Sequence, residues 1–150
     1  MLDKVTNPQQ RISIWRDYKN GRPTIKNVLQ YIDSIEAIDR TFDYYTPSTW
    51  PTPWEILDQS MFCVSGKAIL LYHTLAQLEY IDTRNVRWIV AENKEIYQEG
   101  LVFFDGLCYY NILPNTSVNI ENFDNYITVR EIIRQEKLTK IHESYKERRH

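Results

Sequence analysis

Two cysteines and three histidines are all that this chain of 150 residues has of the two side chains most used for thiol chemistry and metal binding. Two cysteines cannot build a disulfide-dense scaffold or a four-cysteine zinc site. Neither stands in a Cys-x-x-Cys pair, so both are expected as free thiols in a reducing compartment. Glycine is also scarce, at 4 residues, and there is no glycine-rich phosphate loop. Ser65-Gly66-Lys67 lacks the upstream glycine of a Walker sequence. No charge of one sign dominates: 18 basic residues face 20 acidic ones, for a net charge of −2. A chain that grips phosphate backbones is expected to be basic, so nucleic acid is not an expected partner. The longest apolar run, Ala68-Ile69-Leu70-Leu71-Tyr72, is far too short to span a membrane. The N-terminal stretch Met1 to Pro8 is polar and has no apolar core, so secretion by a signal peptide is not expected.

What is present is enough for a packed core. The chain is 43% hydrophobic, and Tyr, at 11, outnumbers Phe and Trp together, at 5 and 4. Its patterning predicts helices over residues 8–20 and 24–38. The first has Pro8 near its first turn and Asn20-Gly21 at its end, and the second carries an apolar stripe through Val28, Ile32, Ile35 and Ile38. Residues 41–52 form a loop dense in aromatics. Thr52-Pro53-Trp54-Glu55 is a capping box with proline at the first helical position, and it opens a short helix to about Asp58. Residues 63–79 read as a central helix, apolar nearly all round and so buried on more than one side.

After the central helix the period changes from 3.6 to 2. Strands are expected at Val86–Ala91, Leu101–Phe104 and Leu107–Ile112, with Asp105-Gly106 as a tight hairpin turn. Pro114-Asn115 ends the sheet region. A last helix is expected from about Thr128 to Arg148, with Val129, Ile132, Ile133, Leu138, Ile141 and Tyr145 as its apolar residues. The order predicts an α+β domain: N-terminal helices, a buried central helix packed on a small antiparallel sheet, and a C-terminal helix. The chain reads as one domain in three parts, with a helical part and aromatic loop at 1–51, a core at 52–114, and a loop and helix at 115–150.

Chemistry, if any, centres on Cys63. It opens the most buried helix, where free amides and the helix dipole favour a thiolate. Cys108 alternates with Leu107 and Tyr109 in a strand and reads as core. No spacing of Cys, His, Asp or Glu suggests a metal site, and no cofactor is expected.

The order of these parts resembles the transglutaminase-like and papain-like cysteine fold over about residues 52–114. The capped Pro53-Trp54-Glu55-Ile56-Leu57 is followed by Cys63 opening a helix, then by Val86-Arg87-Trp88-Ile89-Val90 and the hairpin around Asp105-Gly106. The resemblance implies Cys63 as nucleophile, a histidine at the start of the hairpin's first strand as base, and Asn111, with Pro114 nearby, in place of the orienting Asp. The histidine position falls at Tyr97 or Gln98, and neither can serve as that base. His73 lies ten residues along the same helix, about 15 Å away along the axis. The catalytic set is therefore read as incomplete.

The string Trp50-Pro51-Thr52-Pro53-Trp54-Glu55 and the helix with Leu71-Tyr72-His73-Thr74-Leu75 also look similar to small proteins from the tail and baseplate regions of contractile-tailed phages. That resemblance implies a non-catalytic structural or assembly protein of a virion, located in the virion or the host cytoplasm. Its partners would be tail or baseplate subunits, with neither nucleic acid nor membrane, and a homo-oligomer is compatible with it. Tyr44, Tyr45, Trp50, Trp54, Ile133, Ile141 and Tyr145 are the expected contact residues, because Tyr and Trp bury a large apolar body behind a polar tip. The alternative is a thiol enzyme performing acyl transfer or amide hydrolysis through Cys63.

Overall fold

Asn7 and Thr24 begin the first two helices by the same device. Each side chain accepts a hydrogen bond from a backbone amide three residues on, Gln10 at 3.1 Å and Asn27 at 3.2 Å. The computed structural model describes residues 2–94, 97–110, 117–119 and 126–134, the last two segments as backbone strands. Helix α1 spans Pro8–Asn20 and α2 spans Ile25–Asp33. The expected stripe of α2 ran on to Ile38, but the helix stops early because the chain finds other partners. The Ile38 amide donates to the Phe62 carbonyl at 3.2 Å, and Ile38 forms a parallel bridge with Cys63. The buried Lys67 ammonium donates to the carbonyls of Asp33 and Ile35, at 3.3 and 2.7 Å. Those carbonyls follow the last turn of α2, where a cation is favoured.

The capping box forms as the sequence predicts. Thr52 Oγ1 accepts from the Glu55 amide at 3.2 Å, Glu55 accepts from the Thr52 amide at 3.0 Å, and α3 runs Pro53–Gln59. Ser60 then turns into the left-handed region, with φ 53°, and α4 follows over Val64–Gln77 with Cys63 as its N-cap. Ten of its fourteen residues are buried. That agrees with the all-round apolar pattern.

Five antiparallel strands follow: β1 Arg87–Asn93, β2 Gln98–Phe104, β3 Cys108–Tyr110, β4 Ser117–Asn119 and β5 Tyr126–Arg134. Their order across the sheet is β4-β3-β2-β1-β5. In the β2–β3 hairpin Gly106 takes φ 103°, and the Asp105 carboxylate accepts from the amides of Leu107 and Cys108. One face of the sheet meets the helices through an aromatic cluster. Trp88 stands 5.2 Å from Trp50, 5.3 Å from Tyr72 and 5.1 Å from Phe103, centroid to centroid.

The fold is α+β, with helices packed on a small open antiparallel sheet. One element departs from expectation. The last helix was to begin at about Thr128, yet Tyr126–Arg134 is a strand paired along the whole of β1. Ile127, Thr128, Val129, Ile132 and Ile133 are β-branched, which suits a strand. The apparent helical spacing of Val129 and Ile132 arises where the ladder skips a residue, in register shifts opposite Val90/Ala91 and Trp88/Ile89. The sheet also continues past Pro114-Asn115, into β4 and β5. Residues 135–150, where the rest of the expected helix falls, lie outside the described residues.

Buried Arg11 ties this architecture together on the helical side. Its guanidinium donates to the carbonyls of Leu57, Val5 (2.7 Å) and Asp58 (2.8 Å), so it closes the end of α3 against α1. Replacing Arg11 with Met leaves three carbonyls without that donor. It should lower stability by about 3 kcal/mol, read as a lower urea midpoint at unchanged slope.

Candidate functional site

Cys63 sits where α4 begins, with extended backbone angles (φ −69°, ψ 167°) typical of an N-cap. Its Sγ accepts the Gly66 amide at 3.3 Å. The side chain is only 2% exposed. Thr41, an exposed loop residue, places its Oγ1 3.4 Å from the same sulfur. Among the described residues, the Gly66 amide and the Thr41 hydroxyl are the polar partners of Sγ.

The turn that presents Cys63 is packed too tightly for any side chain at Gly66. A Cβ there would fall 1.9 Å from the Met61 carbonyl oxygen and 3.5 Å from the Cys63 sulfur. Strand β2 docks on the same turn. Ser65 Oγ accepts the Leu101 amide at 3.1 Å, and a Cβ on Gly100 would lie 3.2 Å from Val64 Cγ1. A helix hydroxyl therefore satisfies the backbone amide of Leu101 in β2. Beside Gly100, the Glu99 carboxylate accepts the hydroxyls of Tyr44 (2.7 Å) and Tyr45 on one oxygen. Burial first, and then the bond and charge of Glu99, hold the Tyr44 hydroxyl above its ordinary pKa.

The residues expected to matter are distributed unevenly around this point. Tyr97 and Gln98, where the resemblance places a histidine, lie at the opening of β2 with exposed side chains. His73 is the only histidine among the described residues, and it sits on α4 far from Cys63. Asn111 lies outside the described residues, immediately after Tyr110, whose register partner in β2 is Phe103. Tyr44 and Trp50, expected on a contact surface, are buried at 6% and 4% exposure. The indole of Trp50 donates to the Tyr44 carbonyl at 2.9 Å. Both side chains turn inward because the 41–52 loop folds down on the core. Tyr45 and Trp54 are half-buried, and Trp54 meets Trp15 edge-on at 6.5 Å. Ile133 belongs to strand β5 and not to a helix, while Ile141 and Tyr145 lie outside the described residues.

Thr41, Ser65 and Glu99 were not foreseen as site residues. Only Gly66 left a signal in the sequence, as a rare glycine three residues after Cys63. The other three meet through contacts between segments tens of residues apart.

Solved structures of LapG from Legionella pneumophila share this architecture. The calcium-bound form superposes with a TM-score of 0.63 at 12% identity, covering 86% of this chain and 77% of that one. A second LapG structure gives 0.57 at 15% identity, with 88% and 80% covered, and the EGTA-treated form gives 0.56 at 15%, with 85% and 75% covered. No family model matches the chain, and no curated protein does. The chain shares the α+β fold of these structures, which is consistent with a transglutaminase-like core.

This likeness corrects the functional expectations drawn from the phage resemblance. LapG is a periplasmic cysteine protease, not a virion part. The readings of a non-catalytic baseplate component, of tail or baseplate subunits as partners, and of a virion or host-cytoplasmic location are therefore withdrawn. The preference for a non-enzyme is withdrawn with them, since it rested on one missing histidine within a scaffold that LapG uses for catalysis. One LapG structure is calcium-bound. Among the described residues of this chain no three Asp, Glu, His or Cys gather to hold a cation.

Two outcomes test the site's geometry. Gly66→Ala must push Met61 or Cys63 aside, and should cost about 3 kcal/mol by thermal or urea unfolding. Burial first, and then the charge of Asp105, raise the Cys108 thiol above its ordinary pKa of 9.0. Its thiolate fraction is therefore small below pH 9. In a Cys63→Ser background its iodoacetamide labelling should be slow at pH 8, and should still be rising with pH beyond 9.

Proposed function

We propose that this protein is a thiol enzyme of transglutaminase-like type, with Cys63 as the nucleophile for acyl transfer or amide hydrolysis. The observation that carries this reading is the placement of the Cys63 sulfur at the N-terminus of buried helix α4, with the Gly66 amide on it. That placement occurs on a scaffold of the LapG type.

The chemistry follows the usual course for such a thiol. The sulfur attacks the carbonyl carbon of an amide, the carbon–nitrogen bond breaks, and the amine leaves carrying the proton that the thiol gave up. A thioester remains on Cys63. Water then releases the acid, or a second amine takes the acyl group. Asn111 is proposed as the orienting residue, by the resemblance of its place at the end of the hairpin.

Hydrolysis of fluorescently labelled casein, and incorporation of dansylcadaverine into casein, separate the two outcomes of the thioester. One of the two activities is expected from the full chain. Cys63→Ser should reduce it at least a hundredfold, and Cys108→Ser should leave it unchanged. No turnover of either kind by the folded wild type, or activity that survives Cys63→Ser, would overturn the proposal.

A further inference from the structure

A buried thiol loses the solvation that a thiolate needs, so a reactive Cys63 requires donors from the protein. The Gly66 amide supplies one. The second group on the sulfur is Thr41 Oγ1, at 3.4 Å. A hydroxyl beside a thiol can donate or accept, but beside a thiolate it can only donate, because the thiolate has no proton to give. Hydrogen bonds to an ionised partner are about twice as strong as those between neutral groups. A Thr41 hydroxyl that donates at this distance would hold an ionised sulfur more strongly than a neutral one.

The chain on both sides of Thr41 is anchored. Three residues before it, Ile38 bridges to Cys63 itself and donates its amide to Phe62. Three and four residues after it, Tyr44 and Tyr45 donate to Glu99 on β2. Asp43 adds a local turn by accepting the Tyr45 amide at 2.9 Å and the Thr46 hydroxyl at 2.7 Å. Two independent attachments, one to the segment Phe62–Cys63 that leads into α4 and one to β2, hold the hydroxyl near the sulfur. Thr41 is an exposed residue while Cys63 is buried, and the contact between them is part-buried.

We propose that Thr41 is a thiolate-stabilising residue of this site, donating its hydroxyl to Cys63 Sγ alongside the Gly66 amide. The proposal rests on the reading of Cys63 as nucleophile, and it adds a residue to that machinery from a loop outside the part of the chain that carries the family resemblance.

The test uses the full chain in a Cys108→Ser background, so that Cys63 is the only thiol labelled. Iodoacetamide labelling is followed by intact mass at pH 7 and at pH 10, for Thr41, Thr41→Val and Thr41→Ser. Thr41→Val keeps the shape and removes the donor, and Thr41→Ser keeps the donor. The expected result is a roughly tenfold slower reaction at pH 7 for Thr41→Val, little change at pH 10, and recovery in Thr41→Ser. Thermal melting confirms that all three forms are folded, as an exposed position should allow. Equal rates for Thr41 and Thr41→Val at pH 7 overturn the proposal. So does a loss of the same size at both pH values, which marks altered access, or a Thr41→Ser form as slow as Thr41→Val. Casein turnover is measured on the same proteins. If the parent shows none while the labelling pattern holds, the enzyme reading fails and Thr41 stands as the donor to Cys63.

Discussion

The contact on which the rest of the structure turns is the seating of strand β2 on the first turn of α4. The Ser65 hydroxyl takes the Leu101 amide, Gly100 gives the strand room to approach Val64, and Gly66 leaves space for the Met61 carbonyl. These contacts occupy three successive residues after Cys63. They fix the direction of the helix start and so the position of the sulfur. A bulkier residue at Gly66 would displace Met61 or Cys63, and one at Gly100 would force β2 away from Val64. The polar edge of β2 would then lose the partner that a buried amide requires.

Around that contact the protein uses buried cations to close chain ends that would otherwise be costly. Lys67 donates to the carbonyls at the end of α2, and Arg11 does the same for the end of α3. Both therefore act near the segments that lead into Cys63. Lys67 belongs to α4 itself, four residues after the cysteine. A buried charge is stable only when several acceptors surround it, and here backbone carbonyls supply them. The aromatic cluster of Trp50, Tyr72, Trp88 and Phe103 holds helices to sheet by packing on the other side of α4. The tyrosines that suggested a sticky surface thus have internal work. Tyr44 and Tyr45 tie the loop before α3 to Glu99, and Tyr72 packs against Trp88.

A short motif and a whole scaffold carry different kinds of information. A short tryptophan–proline string records local chain direction: Pro53 and the capping box start a helix in any protein that needs one there. It says little about assembly into a virion. The whole-chain superposition on LapG covers most of both molecules, and it compares how distant segments meet. At 12–15% identity it establishes a fold.

The sequence by itself determined the features that depend on near neighbours in the chain. These are the capping box at Thr52–Glu55, the start of α4 at Cys63, the Asp105-Gly106 turn, and the α+β order of elements. Each is governed by contacts within a few residues, and such contacts leave a readable pattern. Tertiary structure alone decided where α2 stops, because Ile38 pairs with Phe62 and Lys67 takes the helix-end carbonyls. It alone made Tyr126–Arg134 a strand, because β1 offers a whole edge of amides and carbonyls to a β-branched segment that could also have coiled. It also brought Thr41 to the sulfur and Glu99 to the tyrosines across 22 and about 55 residues of chain. No local pattern encodes a meeting between such distant segments, which arises only when helices and sheet close on a common core.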